Sequence, residues 1–179
     1  RRDPTMTADQ HFIDTCRHYV TSEYLPKIRR CVEALAEEDL WWRPNRSSNS
    51  VGNLVLHLAG NIRQWIVSGV GGKPDIRERA KEFAADGETL GTEWTRAGLL
   101  TYLEETLADV DATLAELTPE DLLSRSVIQG TDVTHLEAVF HAVEHFSMHT
   151  GQIIYVTKLR TAADLRFYEV EDGIARQNW

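Results

Sequence analysis

Three histidines, His141, His145 and His149, stand four residues apart in one helical segment. At 3.6 residues per turn, neighbours spaced by four are offset by only about 40° around the axis, so all three lie on one stripe. Neutral imidazole is the commonest protein ligand for zinc, nickel and iron, and a pair at i, i+4 can close on one ion. The outer pair, His141 and His149, is too far apart along the helix to share it. Ala138, Ala142, Gln152 and Val156 occupy the same face. The alanines predict space beside the imidazoles, where a packing face would carry Leu or Ile. A third ligand must then come from another helix, and His57 is the candidate. It lies on the Leu54, Leu58, Asn61 and Trp65 stripe of a second helix, which faces the core of a bundle. A lone histidine there is ordinarily a hydrogen-bonded core residue. Opposite two more, it completes a three-histidine site with positions open to water or substrate. Asn61 and Gln64, one and two turns on, are placed to support the ligands from behind.

Other motifs are weaker. His141-Ala142-Val143-Glu144-His145 matches the H-x-x-E-H pattern of inverted zinc peptidases. Those enzymes need a further ligand well downstream, and only 34 residues follow His145. Gly71-Gly72-Lys73-Pro74 is no phosphate loop, because proline replaces the hydroxyl residue after lysine. His11 and His18 share a face with Asp14, Thr15 and Ser22, a solvated edge, and His135 reads as a structural residue of a first helical turn.

Four helices are expected to position these groups. The first covers about 9–36, with Phe12, Cys16, Tyr19, Val20, Ile28, Val32 and Leu35 at helical spacing and a kink near 22–25 ahead of Pro26. The second opens in the capping run Ser47-Ser48-Asn49-Ser50 and continues to about Ser68. The third carries Leu103, Leu107, Val110, Leu114 and Leu117 in four-three spacing, the seam of a bundle. Thr118 and Pro119 reset the chain. The fourth starts behind a Thr134-x-x-Glu137 capping box and runs to about Arg160. Its apolar residues on the opposite face, Leu136, Phe140, Val143 and Ile154, predict burial on two sides. Residues 71–97 show no period and read as a long crossover or lid. Strand signals are almost absent, so the fold expected is an all-α four-helix bundle with that crossover between helices two and three.

Composition bounds the partners. Of 179 residues 42% are hydrophobic and 26% charged, an ordinary single-domain balance, expected over 8–179. Residues 1–7 are expected to be either disordered or an appended remnant; Met6 is a candidate natural start, with 1–5 then the appended piece and otherwise native. The net charge of -9 opposes a nucleic-acid backbone or an anionic membrane. No run approaches the length of a membrane span, and no leader is visible, so the expected compartment is the cytoplasm. Cys16 and Cys31 agree with this: 15 positions apart in one helix, they are separated by about 22 Å and cannot pair.

The sequence also resembles the DinB-like (DinB/YfiT) superfamily. The resemblance is carried by Trp41-Trp42-Arg43-Pro44-Asn45, by the segment 49–61 around His57, and by Glu144-His145-Phe146-Ser147-Met148-His149-Thr150-Gly151-Gln152-Ile153. It extends from about Ala8 to Tyr168. It implies a metal-binding four-helix bundle with the crossover described above. It also implies a divalent metal, zinc or nickel and sometimes iron, held by His57, His145 and His149, with His141 outside the pattern. Some relatives are transferases or isomerases using glutathione, mycothiol or bacillithiol, and others hydrolyse. The expected function is therefore a metal-dependent enzyme of the thiol-dependent S-transferase type. The alternatives are a non-catalytic metal-binding stress-response protein and a metal-dependent hydrolase. Asn61, Gln64 and Gln152 are the candidate cofactor- or substrate-orienting groups, and Lys73, Arg77 and Arg79 are candidates to meet an acidic low-molecular-weight thiol. The expected partners are a small-molecule substrate and a second copy of the chain.

Overall fold

The computed structural model describes residues 6–86 and 94–179; the expectations for residues 1–5 and for 87–93 of the crossover lie outside the described residues. Thr7 caps the first helix, α1 (Ala8–His18), by accepting the backbone N–H of Gln10. A π-helical stretch, Tyr19–Tyr24, leads directly into α2 (Leu25–Ala34), so the three form one rod. Pro26 brings no N–H, and the expected kink takes the form of widened turns in which the Leu25 N–H bonds the Val20 carbonyl, five residues back. Cys16 and Cys31 are buried and unpaired.

α3 (Val51–Ile62) begins at Ser50, which exchanges hydrogen bonds with Asn53 in a capping box. All twelve of its residues are buried, and it packs against both α5 and α6. π-helical turns at Arg63–Val70 extend it to the cap at Gly71, and Gly72 follows with a φ of +70° that suits glycine. The crossover then contains a short helix, α4 (Arg79–Ala84), and leads to α5 (Arg96–Glu116). On α5, Leu99, Leu103, Leu107, Val110 and Leu114 are buried along the expected seam. A 3₁₀ turn, Pro119–Leu123, and a hairpin of β1 (Arg125–Ile128) and β2 (Thr131–Thr134) follow. α6 (His135–Thr161) starts at the Thr134–Glu137 capping box and packs on α2 and α3. It stops at Ala162, in the left-handed region at φ 53°. A second antiparallel hairpin, β3 (Tyr168–Glu171) and β4 (Ile174–Gln177), closes the chain.

The all-α bundle stands, with three corrections. The two hairpins were not expected; each strand has four residues and most are exposed, so no alternating apolar pattern marks them. α4 lies in the segment read as irregular, because six residues with one buried side chain are too few to show a period. α6 is buried on its second side only in part: Ala138, Val139, Ala142, Phe146, Ile153 and Val156 face the core and Val143 and Ile154 pack against it half-buried, whereas Leu136 and Phe140 are exposed. The helices that matter for the histidines are α3 and α6, held side by side by that core face.

Candidate metal centre

The contact between α3 and α6 brings one nitrogen each of His57, His145 and His149 within 4.8 Å of one another. His57 Nε2 and His145 Nε2 are 3.2 Å apart. Ligands at about 2.0–2.1 Å from a tetrahedral zinc are separated by about 3.3–3.4 Å, so these two nitrogens stand at the spacing of a coordination edge. His141 lies outside the group; its ring packs on Trp65, with centroids 4.2 Å apart.

Two of the imidazoles are fixed from behind. His57 Nδ1 donates to Glu82 Oε2 at 2.9 Å, which leaves Nε2 with a free lone pair. Glu82 in turn receives Arg77 Nε on Oε1 at 2.7 Å and Nη2 on Oε2 at 2.9 Å, a two-pronged pair with both side chains buried. Arg77 Nη2 also stands 3.1 Å from His57 Nδ1; both are donors, drawn together by the carboxylate they share. His149 Nδ1 donates to Gln152 Oε1 at 2.7 Å, again freeing Nε2. Burial pushes His145 down to about 3, reinforced by His149, His57, His141 and Arg77, and burial likewise lowers His149. Both rings are neutral at physiological pH, the form that ligates metal. Burial works to raise the Glu82 carboxyl, but hydrogen bonds from Arg77 and His57 outweigh it and hold the group below its usual range. The donor set therefore fits a borderline-soft divalent metal.

Glu82 comes from α4, and its position is built by α3. Asn53 Nδ2 donates to the carbonyls of Glu82 and Ala85 at 3.0 and 2.8 Å, and Arg43 Nη2 donates to that of Phe83 at 3.1 Å. Gly60 permits the approach: a β-carbon there would lie 2.1 Å from Glu82 Oε1 and 3.3 Å from Arg77 Nε.

The supporting residues expected from sequence are placed unevenly. Gln152 sits on His149, as above. Gln64 is instead engaged behind Arg77: it accepts from Arg77 Nη1 at 2.9 Å and donates to Asp75 Oδ2 at 2.6 Å. Asn61, one turn after His57, is buried, and its Oδ1 has no hydrogen-bond partner among the described residues. Arg77 is committed to Glu82, and Arg79 lies over the Phe83 ring at 5.0 Å. Ala138 and Ala142 do not leave room beside the histidines, since both are closed into the core. Open space occurs elsewhere. A cavity of about 380 Å³ has Glu82 and Arg77 in its wall, with Leu56, Trp94 and Tyr102. A groove of about 420 Å³ has Gln152 in its wall, with Ser48, Asn49, Leu54 and Tyr155. Glu82 and Asn53 were missed by sequence reasoning: Glu82 lies 25 residues from His57 in a segment without period, among 28 acidic residues.

Two solved structures share the fold. A DinB-like protein from Bacillus cereus superposes with a TM-score of 0.58 at 15% identity, over 76% of this chain and 85% of that one. A DinB-like protein from Bacillus subtilis, YjoA, gives 0.62 at 19% identity, over 84% and 94%. No curated protein matches the chain. The family described as "Protein of unknown function (DUF1572)" matches residues 8–173, nearly the whole of the bundle and its crossover. With the DinB-like architecture and the three-histidine group in place, the chain belongs to the DUF1572 family.

Proposed function

We propose that the chain binds one divalent transition metal through His57, His145 and His149 and acts as a metal- and thiol-dependent transferase on a small molecule. The observation that carries this reading is the convergence of three imidazoles, two of them oriented through Nδ1 by Glu82 and Gln152. Three neutral ligands leave the charge of a dication uncompensated, and the chemistry it supplies is stabilisation of an anionic ligand, a thiolate above all. The protein's own contribution is preorganisation. Arg77 keeps Glu82 ionised and aimed, Glu82 holds the His57 ring in one tautomer, and Gln152 does the same for His149. Gln152 also faces the groove between α6 and the 44–50 loop, which supports entry of the small molecule from that side. Zinc and nickel suit the donor set, and iron is compatible with it.

The test is spectroscopic. Cobalt-substituted protein titrated with glutathione, mycothiol, bacillithiol and mercaptoethanol should gain a near-ultraviolet charge-transfer band with at least one of them, and the His145→Ala variant should not. Absence of the band with all four removes the transferase reading and leaves hydrolysis, or metal binding without catalysis.

A further inference from the structure

α3 turns two faces to the rest of the bundle. His57 lies on the one toward α6, whereas Leu56, Gly60 and Arg63 wall the cavity of about 380 Å³ on the side of α4 and α5. No histidine lines this space, and the buried Arg77–Glu82 pair separates it from the metal centre. Its volume suits a molecule of one or two rings. Leu56 supplies an apolar wall. Trp94 and Tyr102 supply an aromatic one, their rings edge to face with centroids 5.3 Å apart. The polar groups of the wall differ in what they have left to offer. Glu82 is closed by Arg77 and His57, and Glu78 by Lys81 at 2.7 Å. Asp75 accepts from Gln64 Nε2 at 2.6 Å and from the Arg77 backbone N–H at 3.0 Å. Two donors are unspent. Arg63 gives only Nη1, to Asp109 Oδ2 at 2.7 Å, and its Nε and Nη2 have no partner among the described residues. The Tyr102 hydroxyl has none there either. Burial raises the phenol above its ordinary value, with the Arg63 charge pulling the other way, so it stays a neutral O–H donor.

We infer that this cavity is a binding site for a small aromatic carboxylate, held at its carboxylate by Arg63 and the Tyr102 hydroxyl and at its ring by Trp94 and Leu56. A guanidinium with spare N–H groups makes charge-assisted hydrogen bonds to carboxylate oxygens, roughly twice as strong as neutral ones. The phenol adds a second donor to the same group. A ligand cation would find the carboxylates of the wall already engaged. A purely apolar ligand would cover Arg63 and Tyr102 and leave both unpaired, at a desolvation cost. A flat ring matches the aromatic wall, where stacked or edge-on contacts add to the area buried. The inference does not depend on the metal reading, because no metal ligand lines the cavity.

Titration calorimetry of metal-free protein with benzoate, phenylacetate and 2-naphthoate tests this, with the neutral amide of each as control. At least one carboxylate should bind at one equivalent per chain, and its amide about tenfold or more weaker. Arg63→Gln and Tyr102→Phe should each weaken that carboxylate about tenfold or more, since each removes a hydrogen bond to a charged group. Trp94→Ala should weaken the acid and its amide alike, because the ring contact serves both. Both Arg63 and Tyr102 are only half-buried, so the variants should fold, and circular dichroism of each checks that the helices persist. No binding of any of the three carboxylates up to about 10 mM would overturn the inference. So would amides that bind as tightly as their acids, or an affinity unmoved by both Arg63→Gln and Tyr102→Phe.

Discussion

Replacing Gly60 by alanine tests the support of the histidine centre from a position that touches no histidine. In an unconstrained helix interior, Gly→Ala stabilises by about 0.5–1 kcal/mol through backbone entropy. At Gly60 the added methyl would sit 2.1 Å from Glu82 Oε1 and 2.9 Å from Glu82 Cδ, and the carboxylate has to leave. It is held by Arg77 and His57 with both ion-pair side chains buried, so its movement strands Arg77 and frees the His57 ring. Separating a buried pair costs about 3–5 kcal/mol. The net expectation is a loss of about 2–4 kcal/mol after the helical gain, read as a lower urea midpoint at unchanged slope in metal-free protein. Metal affinity should fall about 10–100-fold through the lost orientation of His57. A Gly60→Ala protein that is stabilised, with unchanged metal affinity, would refute the claim that Glu82 is locked where it stands.

Three further outcomes follow from the same structure. Gln152→Ala, at an exposed position, should leave thermal stability nearly unchanged while lowering metal affinity about 10–100-fold, measured by competition with a chromogenic chelator; equal affinity would show that Gln152 does not orient His149. Chelation should cost at most a few kcal/mol by mass action and leave the helical circular dichroism intact, since the core of α3, α5 and α6 does not use the ion; collapse at room temperature would make the site structural. Glu23 is raised by burial but lowered more by hydrogen bonds from Gln177, Lys27 and His18, so its carboxyl lies below the usual range. A depressed carboxyl contributes stability above its unfolded value of about 4.3, and that contribution is lost as pH falls through the folded value. Hydrogen-exchange protection of β4, corrected for intrinsic rates, should therefore drop below about pH 4 in the wild type, and a profile unaltered by Glu23→Gln would contradict this.

The bundle was legible because its long helices each present an apolar stripe of several turns, as Leu103, Leu107, Val110 and Leu114 do on α5. Caps at Ser50 and Thr134 marked two helix starts for the same local reason, a side chain closing on backbone three residues away. The histidines were legible as a group because His145 and His149 repeat at helical spacing and His57 lies on a core stripe. Glu82 was not, because its place depends on contacts of Asn53, Arg43, Gly60 and Arg77 across the fold rather than on any local pattern. The outward side of α6 was legible only in part: of Leu136, Phe140, Val143 and Ile154, the last two pack half-buried against the core, whereas nothing among the described residues buries Phe140.

Metal content per chain, measured after reconstitution for the wild type and four single variants, bears most directly on the central reading. The three-histidine account predicts one equivalent of zinc or nickel in the wild type and in His141→Ala, with content and affinity falling sharply in His57→Ala, His145→Ala and His149→Ala. Retention in His57→Ala together with loss in His141→Ala would contradict it, and would shift the ligands to the His141–His145 pair alone.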